Sequence, residues 1–202
     1  MYSLYFSPGA CSLATHTILN MLNQKTELIH VSNVKNFEAV NPSKMVPVLK
    51  DGDTYLTEGA AIILYLLEKH ENNLMAKAGA SRQKAIENMM LANATMHPAY
   101  GRLFFASANM EEGKAKDDFF KAAAETIDKI WLSVENKISE GPFLGGHSVS
   151  PADILLTVYS DWGQYFPVDI NIGPKAQQMI KLVQQSEAFK LASQKEADTV
   201  AN

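Results

Sequence analysis

Apolar and polar residues follow two different rhythms along this chain, and the change between them divides it. Residues 2–6 and 27–31 are short β-prone apolar runs that end in turn-formers, which predicts two strands. Between them, Cys11 to Leu22 reads as a helix. Val46-Pro47-Val48-Leu49-Lys50 and Thr54-Tyr55-Leu56 predict two more strands. Asp51-Gly52-Asp53 joins them, and Asp-Gly accepts the positive φ that a tight hairpin demands. Ala61, Ile62, Tyr65 and Leu66 then place a helix after Thr57 that fades at Glu71-Asn72-Asn73. The order is β-α-β, a short irregular segment, then β-β-α.

Beyond about residue 75 no convincing strand remains, so the boundary is placed there, giving segments 1–75 and 76–202. Ile86, Met89, Met90, Asn93, Met96, His97, Tyr100, Leu103 and Phe104 form one stripe of a long helix over about 80–108. Pro98 should bend it, because proline removes a helical hydrogen bond and crowds the preceding turn. Further helices are expected at about 115–139, 150–165, 174–185 and 187–196. Ser150-Pro151-Ala152-Asp153 is a helix start: serine caps, proline suits the first helical position and the acid bonds back. That motif reads as a fold determinant without a catalytic role.

A chain of 202 residues has room for a sizeable core in one or two domains. With 18 Lys plus Arg against 22 Asp plus Glu, it has no basic footprint for nucleic acid. No stretch approaches membrane-spanning length. One cysteine excludes an internal disulfide framework and the opening residues lack a secretion signal, so a reducing cytoplasm is expected.

That single cysteine, Cys11, stands at a helix start directly after a strand. The unpaired N–H groups of a first helical turn favour an anion, which predicts a thiol whose pKa is lowered toward neutrality. An inert buried filler is the alternative. A dithiol oxidoreductase would carry a second cysteine at the place of Ala14, so an activated Cys11 would instead engage a small thiol such as glutathione. Pro47 within a strand requires an edge or a special bond. A cis Val46–Pro47 peptide would present the Val46 backbone to an incoming chain, whereas a trans bond would make it an ordinary strand start. Glu58 and Gly59, at a strand-to-helix turn, can hold an ammonium and a carboxylate, or can simply complement the helix dipole.

In this order and spacing, Pro8-Gly9-Ala10-Cys11-Ser12-Leu13-Ala14, Val40-Asn41-Pro42, Val46-Pro47-Val48-Leu49, Leu56-Thr57-Glu58-Gly59 and Ser150-Pro151-Ala152-Asp153 resemble the glutathione transferase superfamily. The resemblance is closest to the bacterial cysteine-type, or beta-class, members. It implies an α/β thioredoxin-like N-terminal domain that binds glutathione, 1–75, and an all-α C-terminal domain, 76–202, that contributes a hydrophobic substrate site. Cys11 matches the cysteine beside the glutathione sulfur, with Ala10 and Ser12 around it and Ser12 as an additional hydroxyl donor. Val46 and Pro47 match the segment that pairs with the cysteinyl backbone, Glu58 and Gly59 the pair that grips the γ-glutamyl end, and Lys35 a glycine-carboxylate lysine. His97 aligns with a histidine that reaches the thiol region, although a histidine on an apolar stripe is also an ordinary core residue. Trp162 aligns with an aromatic near the hydrophobic site, which Tyr100, Phe104, Phe105, Tyr165 and Phe166 would help to wall.

The chain departs from the pattern at three positions. Phe6 stands where relatives carry tyrosine, Pro98 where they carry lysine and Met90 where they carry asparagine. The resemblance implies a cytoplasmic, homodimeric detoxification enzyme that conjugates glutathione to apolar electrophiles, with glutathione as cosubstrate and neither metal nor nucleotide. His16, His30, His70 and His147 have no ligand-like spacing with His97, which agrees with the absence of a metal site. Two other readings stay open: a glutathione-dependent thiol oxidoreductase in which Cys11 forms the intermediate, and a non-catalytic interaction module.

Overall fold

Strand β1 (Tyr2–Phe6) sends apolar side chains to both faces, and only an inner strand buries both. In the computed structural model, which describes residues 1–201, β1 lies inside a four-stranded sheet of order β2-β1-β3-β4. Strand β2 (Thr26–His30) runs parallel to β1 after helix α1 (Ser12–Met21). Strands β3 (Val48–Asp51) and β4 (Thr54–Leu56) follow antiparallel. Leu4 pairs with Leu28 on one side and Leu49 on the other, so a row of apolar side chains crosses the sheet. The segment expected to be irregular contains a 3-10 turn at Val31–Asn33 and a one-turn helix, α2 (Phe37–Val40). Strand β3 starts at Val48 and not at Val46, because Pro47 has no N–H for the ladder. Helix α3 (Gly59–Lys69) packs beside α1, with Ile18, Leu19, Ile62, Ile63 and Leu66 fully buried.

The remaining helices are α4 (Gly79–Met90), α5 (His97–Asn109), α6 (Lys114–Lys137), α7 (Pro151–Ser160), α8 (Pro174–Gln185) and α9 (Glu187–Ala201). The single helix expected over 80–108 is α4 and α5 joined by a π-helical turn at Leu91–Met96. There the His97 N–H reaches back five residues to the Ala92 carbonyl. Pro98 thereby falls in the first turn of α5, where a missing N–H costs least. Met89, Met96, Tyr100 and Leu103 are buried as expected, Ala92, Ala99 and Ala106 join them, and Phe104 is left 41% exposed. The helix expected over 150–165 is α7 followed by a 3-10 turn, Asp161–Tyr165.

Asp153 anchors the start of α7. Its buried carboxylate accepts the Ser150 N–H at 2.7 Å, the Ser150 hydroxyl at 2.6 Å and the Leu144 N–H at 2.9 Å. A similar bond made across elements starts α8, where Glu135 of α6 accepts the Lys175 and Ala176 N–H groups at 3.1 and 2.8 Å. Gly173 lets that carboxylate approach, since a Cβ there would stand 2.5 Å from its oxygen and the side chain would have to shift.

Contacts divide the chain into a sheet unit, Met1–Gly79 with the segment from Gln184 onward, and a helical unit, Ala80–Val183. A boundary at residue 75 with everything after it in one helical part differs from this at both ends. The last helix belongs with the sheet, where α9 packs on α1 and β2 and the Asn20 amide donates to the Ala188 carbonyl at 3.1 Å. A helical period tells that α9 is a helix, not which surface receives it.

Candidate active site

The turn from Ser7 to Ser12 is closed by its own polar groups. The Ala10 N–H donates to the Ser7 carbonyl at 3.1 Å, and the Ser12 hydroxyl donates to the same carbonyl at 3.2 Å. Gly9 supplies the positive φ, +68°, that bends the chain into α1. Cys11 follows at the helix start with φ −56° and ψ −19°, and its thiol donates to the Val46 carbonyl at 3.1 Å. The Val46–Pro47 peptide is cis. Before it, the buried Asn41 side chain braces the loop, donating to the Met45 carbonyl at 2.8 Å and accepting the Ser43 N–H at 3.3 Å.

Gly59 lies against the other side of this segment, where an added Cβ would stand 3.6 Å from the Pro47 ring. Glu58 precedes it with φ +66° and ψ 104°, a conformation that costs a non-glycine residue free energy. Its carbonyl accepts the Ile62 N–H at 2.9 Å, and its side chain is exposed. Three separate stretches, Gly9–Ser12, Val46–Pro47 and Glu58–Gly59, thus meet around one thiol.

The thiol differs from expectation. The Cys11 and Ser12 N–H groups do favour the thiolate, but burial outweighs them and the Glu58 and Glu196 carboxylates add to it, so the pKa is pushed up to about 11. A helix start lowers a thiol pKa and burial raises it, and at Cys11 burial is the larger effect.

In the helical unit, Trp162 is the hub of a ring cluster. His97 meets it edge-on at 5.2 Å between centroids and meets Tyr159 at 5.1 Å. Phe104 packs on Trp162 at 5.6 Å, on Tyr165 at 6.4 Å and on Phe166 at 4.8 Å. Tyr100 also touches Trp162, at 6.0 Å, but is fully buried, and its hydroxyl accepts the Trp131 indole N–H at 3.0 Å. Phe104 and Tyr165 are the exposed members, at 41% and 59%, and Phe105, 62% exposed, makes none of these ring contacts. Among the described residues no group of three or more His, Cys, Asp or Glu is placed to hold a metal ion. None of the described helices is long and apolar enough to cross a membrane.

Comparison with known proteins agrees with the resemblance. Residues 2–74 match the glutathione S-transferase N-terminal domain model. The glutathione S-transferase GST-4.5 of Xanthomonas campestris pv. campestris is 28% identical over 174 residues, which cover 83% of this chain and 85% of that one. A sphingomonad glutathione S-transferase complexed with glutathione superposes with a TM-score of 0.82 at 27% identity, covering 96% of this chain and 98% of the other. The bacterial beta class glutathione S-transferase of Sphingomonas chungbukensis does so with a TM-score of 0.82 at 25% identity, with the same coverage. Residues 2–74 thus carry a glutathione S-transferase N-terminal domain, and the chain as a whole is similar in sequence and fold to bacterial glutathione S-transferases.

Within the transferase frame the expected residues are distributed unevenly. Cys11, Val46, Pro47, Glu58 and Gly59 stand together, and Ala10 is partly exposed beside them. Ser12 is fully buried, and its hydroxyl donates to the Ser7 carbonyl and braces the turn. Lys35 is exposed in the loop before α2, and none of the described contacts joins it to the thiol. His97, Phe104, Trp162 and Tyr165 form the ring cluster, whereas Tyr100 backs it from the core. Sequence reasoning missed Tyr159, Asn41 and Glu196. Tyr159 is hidden in a run of buried α7 residues, and Glu196 acts across 185 positions of chain, since 196 − 11 = 185.

Proposed function

We propose that this transferase joins glutathione to apolar electrophiles, with the sheet unit holding glutathione and the ring cluster receiving the electrophile. The observation that carries the reading is the meeting of Cys11, Val46–Pro47 and Glu58–Gly59. The Val46 backbone would pair with the cysteinyl unit, while Glu58 and the N–H groups at the start of α3 would take the ammonium and carboxylate of the γ-glutamyl end. A glutathione amide that claims the Val46 carbonyl displaces the Cys11 thiol now bonded to it. The freed S–H then faces the glutathione sulfur and stabilises it as a thiolate, aided by the N–H groups at the start of α1. Proximity of electrophile and sulfur supplies much of the remaining acceleration.

A thiol pushed up to about 11 favours this role over nucleophilic attack by Cys11, so conjugation is preferred to the thiol oxidoreductase reading. His97, edge-on to Trp162 and Tyr159, is assigned proton exchange or orientation at the reacting end. Lys35 is assigned to the glycine carboxylate. The superfamily resemblance supports a homodimer in the cytoplasm with a detoxification role, and sizing the protein in solution tests the dimer.

Calorimetry with glutathione on the reduced protein and on Cys11→Ala tests the site. Both should bind, and Cys11→Ala should retain part of the conjugation rate with a standard aromatic halide. Absence of binding in both folded proteins would overturn the proposal and return the interaction-module reading.

A further inference from the structure

The last helix is held unevenly along its length. Among the described residues of α9, the buried side chains are Phe189, Ala192 and Glu196, which recur at helical spacing on one face. The near end has several attachments: Phe189 and Ala192 are buried, and the Asn20 amide of α1 donates to the Ala188 carbonyl at 3.1 Å. The far half rests on a single buried side chain. From Ser193 to Val200, Glu196 alone is buried, and Val200 stands 50% exposed. Glu196 is 2% exposed, and its Oε1 lies 3.2 Å from Nδ1 of His16 on α1, itself 1% exposed. The Gln194 amide and the Thr199 hydroxyl make their bonds within α9. An apolar side chain at position 196 would complete the stripe begun by Phe189 and Ala192, and would serve packing as well or better. A carboxylate in that place is accounted for by the histidine it meets.

We propose that the far half of α9 is a strap fastened to α1 by the His16–Glu196 bond, and that loss of the bond opens residues 193–200 while the rest of the sheet unit stays closed. Breaking a buried hydrogen bond leaves its surviving partner without water or a counterpart, and lifting the strap returns that group to water. Amides of a segment that opens by itself exchange with solvent faster than those around it. The strap needs no bound glutathione, so it stands or falls apart from conjugation.

Hydrogen–deuterium exchange of the intact protein, read by peptide mass spectrometry, tests the fastening. Glu196→Gln keeps an amide that can accept from His16 or donate to it, and exchange over 193–200 should stay within about threefold of the parent. Glu196→Leu keeps the bulk and removes the bond, so 193–200 should exchange roughly tenfold faster or more, with 187–192 and β1 unchanged. The same contrast can be read from α1. His16→Asn keeps a side-chain N–H donor and His16→Leu does not, so 193–200 should exchange more slowly in the first than in the second. That second pair decides the matter if Glu196→Leu does not fold. Equal exchange in the amide and leucine variants overturns the proposal, because packing alone would then hold the strap. Acceleration that spreads to 187–192 and β1 also overturns it, because that is what general loosening of the unit gives.

Discussion

The two units hold their candidate residues by different means. In the sheet unit the grip is exerted by backbone: a thiol on the Val46 carbonyl, a glycine against the Pro47 ring, a glutamate in a left-handed conformation. In the helical unit it is exerted by rings packed around Trp162. Backbone groups are present whatever the side chain is, so a sheet-unit substitution should change binding more than stability. Ring packing is both scaffold and pocket wall, so a substitution in the helical unit should change both together.

The strongest attempt to break that contrast is Trp162→Ala. The indole is 6% exposed and touches His97, Tyr100, Phe104 and Tyr159, so its removal leaves a cavity that rigid helices fill poorly. A loss of about 3–5 kcal/mol in denaturant unfolding is expected, together with a fall in kcat/KM for aromatic electrophiles. Full stability with lost activity would mean that the ring serves the pocket alone.

The same contrast explains what could be read from the sequence. Asp51-Gly52-Asp53 and Ser150 to Asp153 act within a few residues of themselves, and each is found doing what its local chemistry predicts, whereas the sequence left Val46–Pro47 open between cis and trans and the bond is cis. The state of Cys11 is not local. Its position at a helix start argues for a lowered pKa, but the larger effect, burial, comes from elements far along the chain, and Glu196 arrives from the last helix. Pro98 announces a disturbance of the long helix, yet whether the chain kinks or widens into a π turn depends on which residues must reach the core. Tyr100 and Phe104 stand four positions apart on the expected stripe of α5; one is fully buried and the other 41% exposed, a difference set by what packs on each, since Tyr100 meets the buried Trp131 and Phe104 meets the exposed Tyr165.

Phe104 therefore offers a sharper test of the helical unit than Trp162. Its ring is partly open, so Phe104→Ala forfeits only part of a buried phenyl, about 1 kcal/mol of stability. KM for a bulky apolar electrophile should rise severalfold while glutathione affinity, measured by calorimetry, stays unchanged. A matching loss of glutathione affinity would show that the ring cluster does not act on the electrophile alone.

Glu58 sets the smallest effect and the clearest sign. At φ +66° and ψ 104° it occupies a region that glycine enters more readily, and its exposed side chain has no packing to lose. Glu58→Gly should relieve about 1–2 kcal/mol of backbone strain, less the greater freedom that glycine gives the unfolded chain, for a net gain of about 0.5–1 kcal/mol. The same change removes the carboxylate assigned to the γ-glutamyl ammonium, so glutathione affinity should fall about tenfold or more. Stability up and affinity down in one variant would mark a residue kept in an unfavourable conformation for the sake of its side chain. Stability and affinity falling together would mean that Glu58 supports the start of α3, and the sheet unit would then obey the same rule as the helical one.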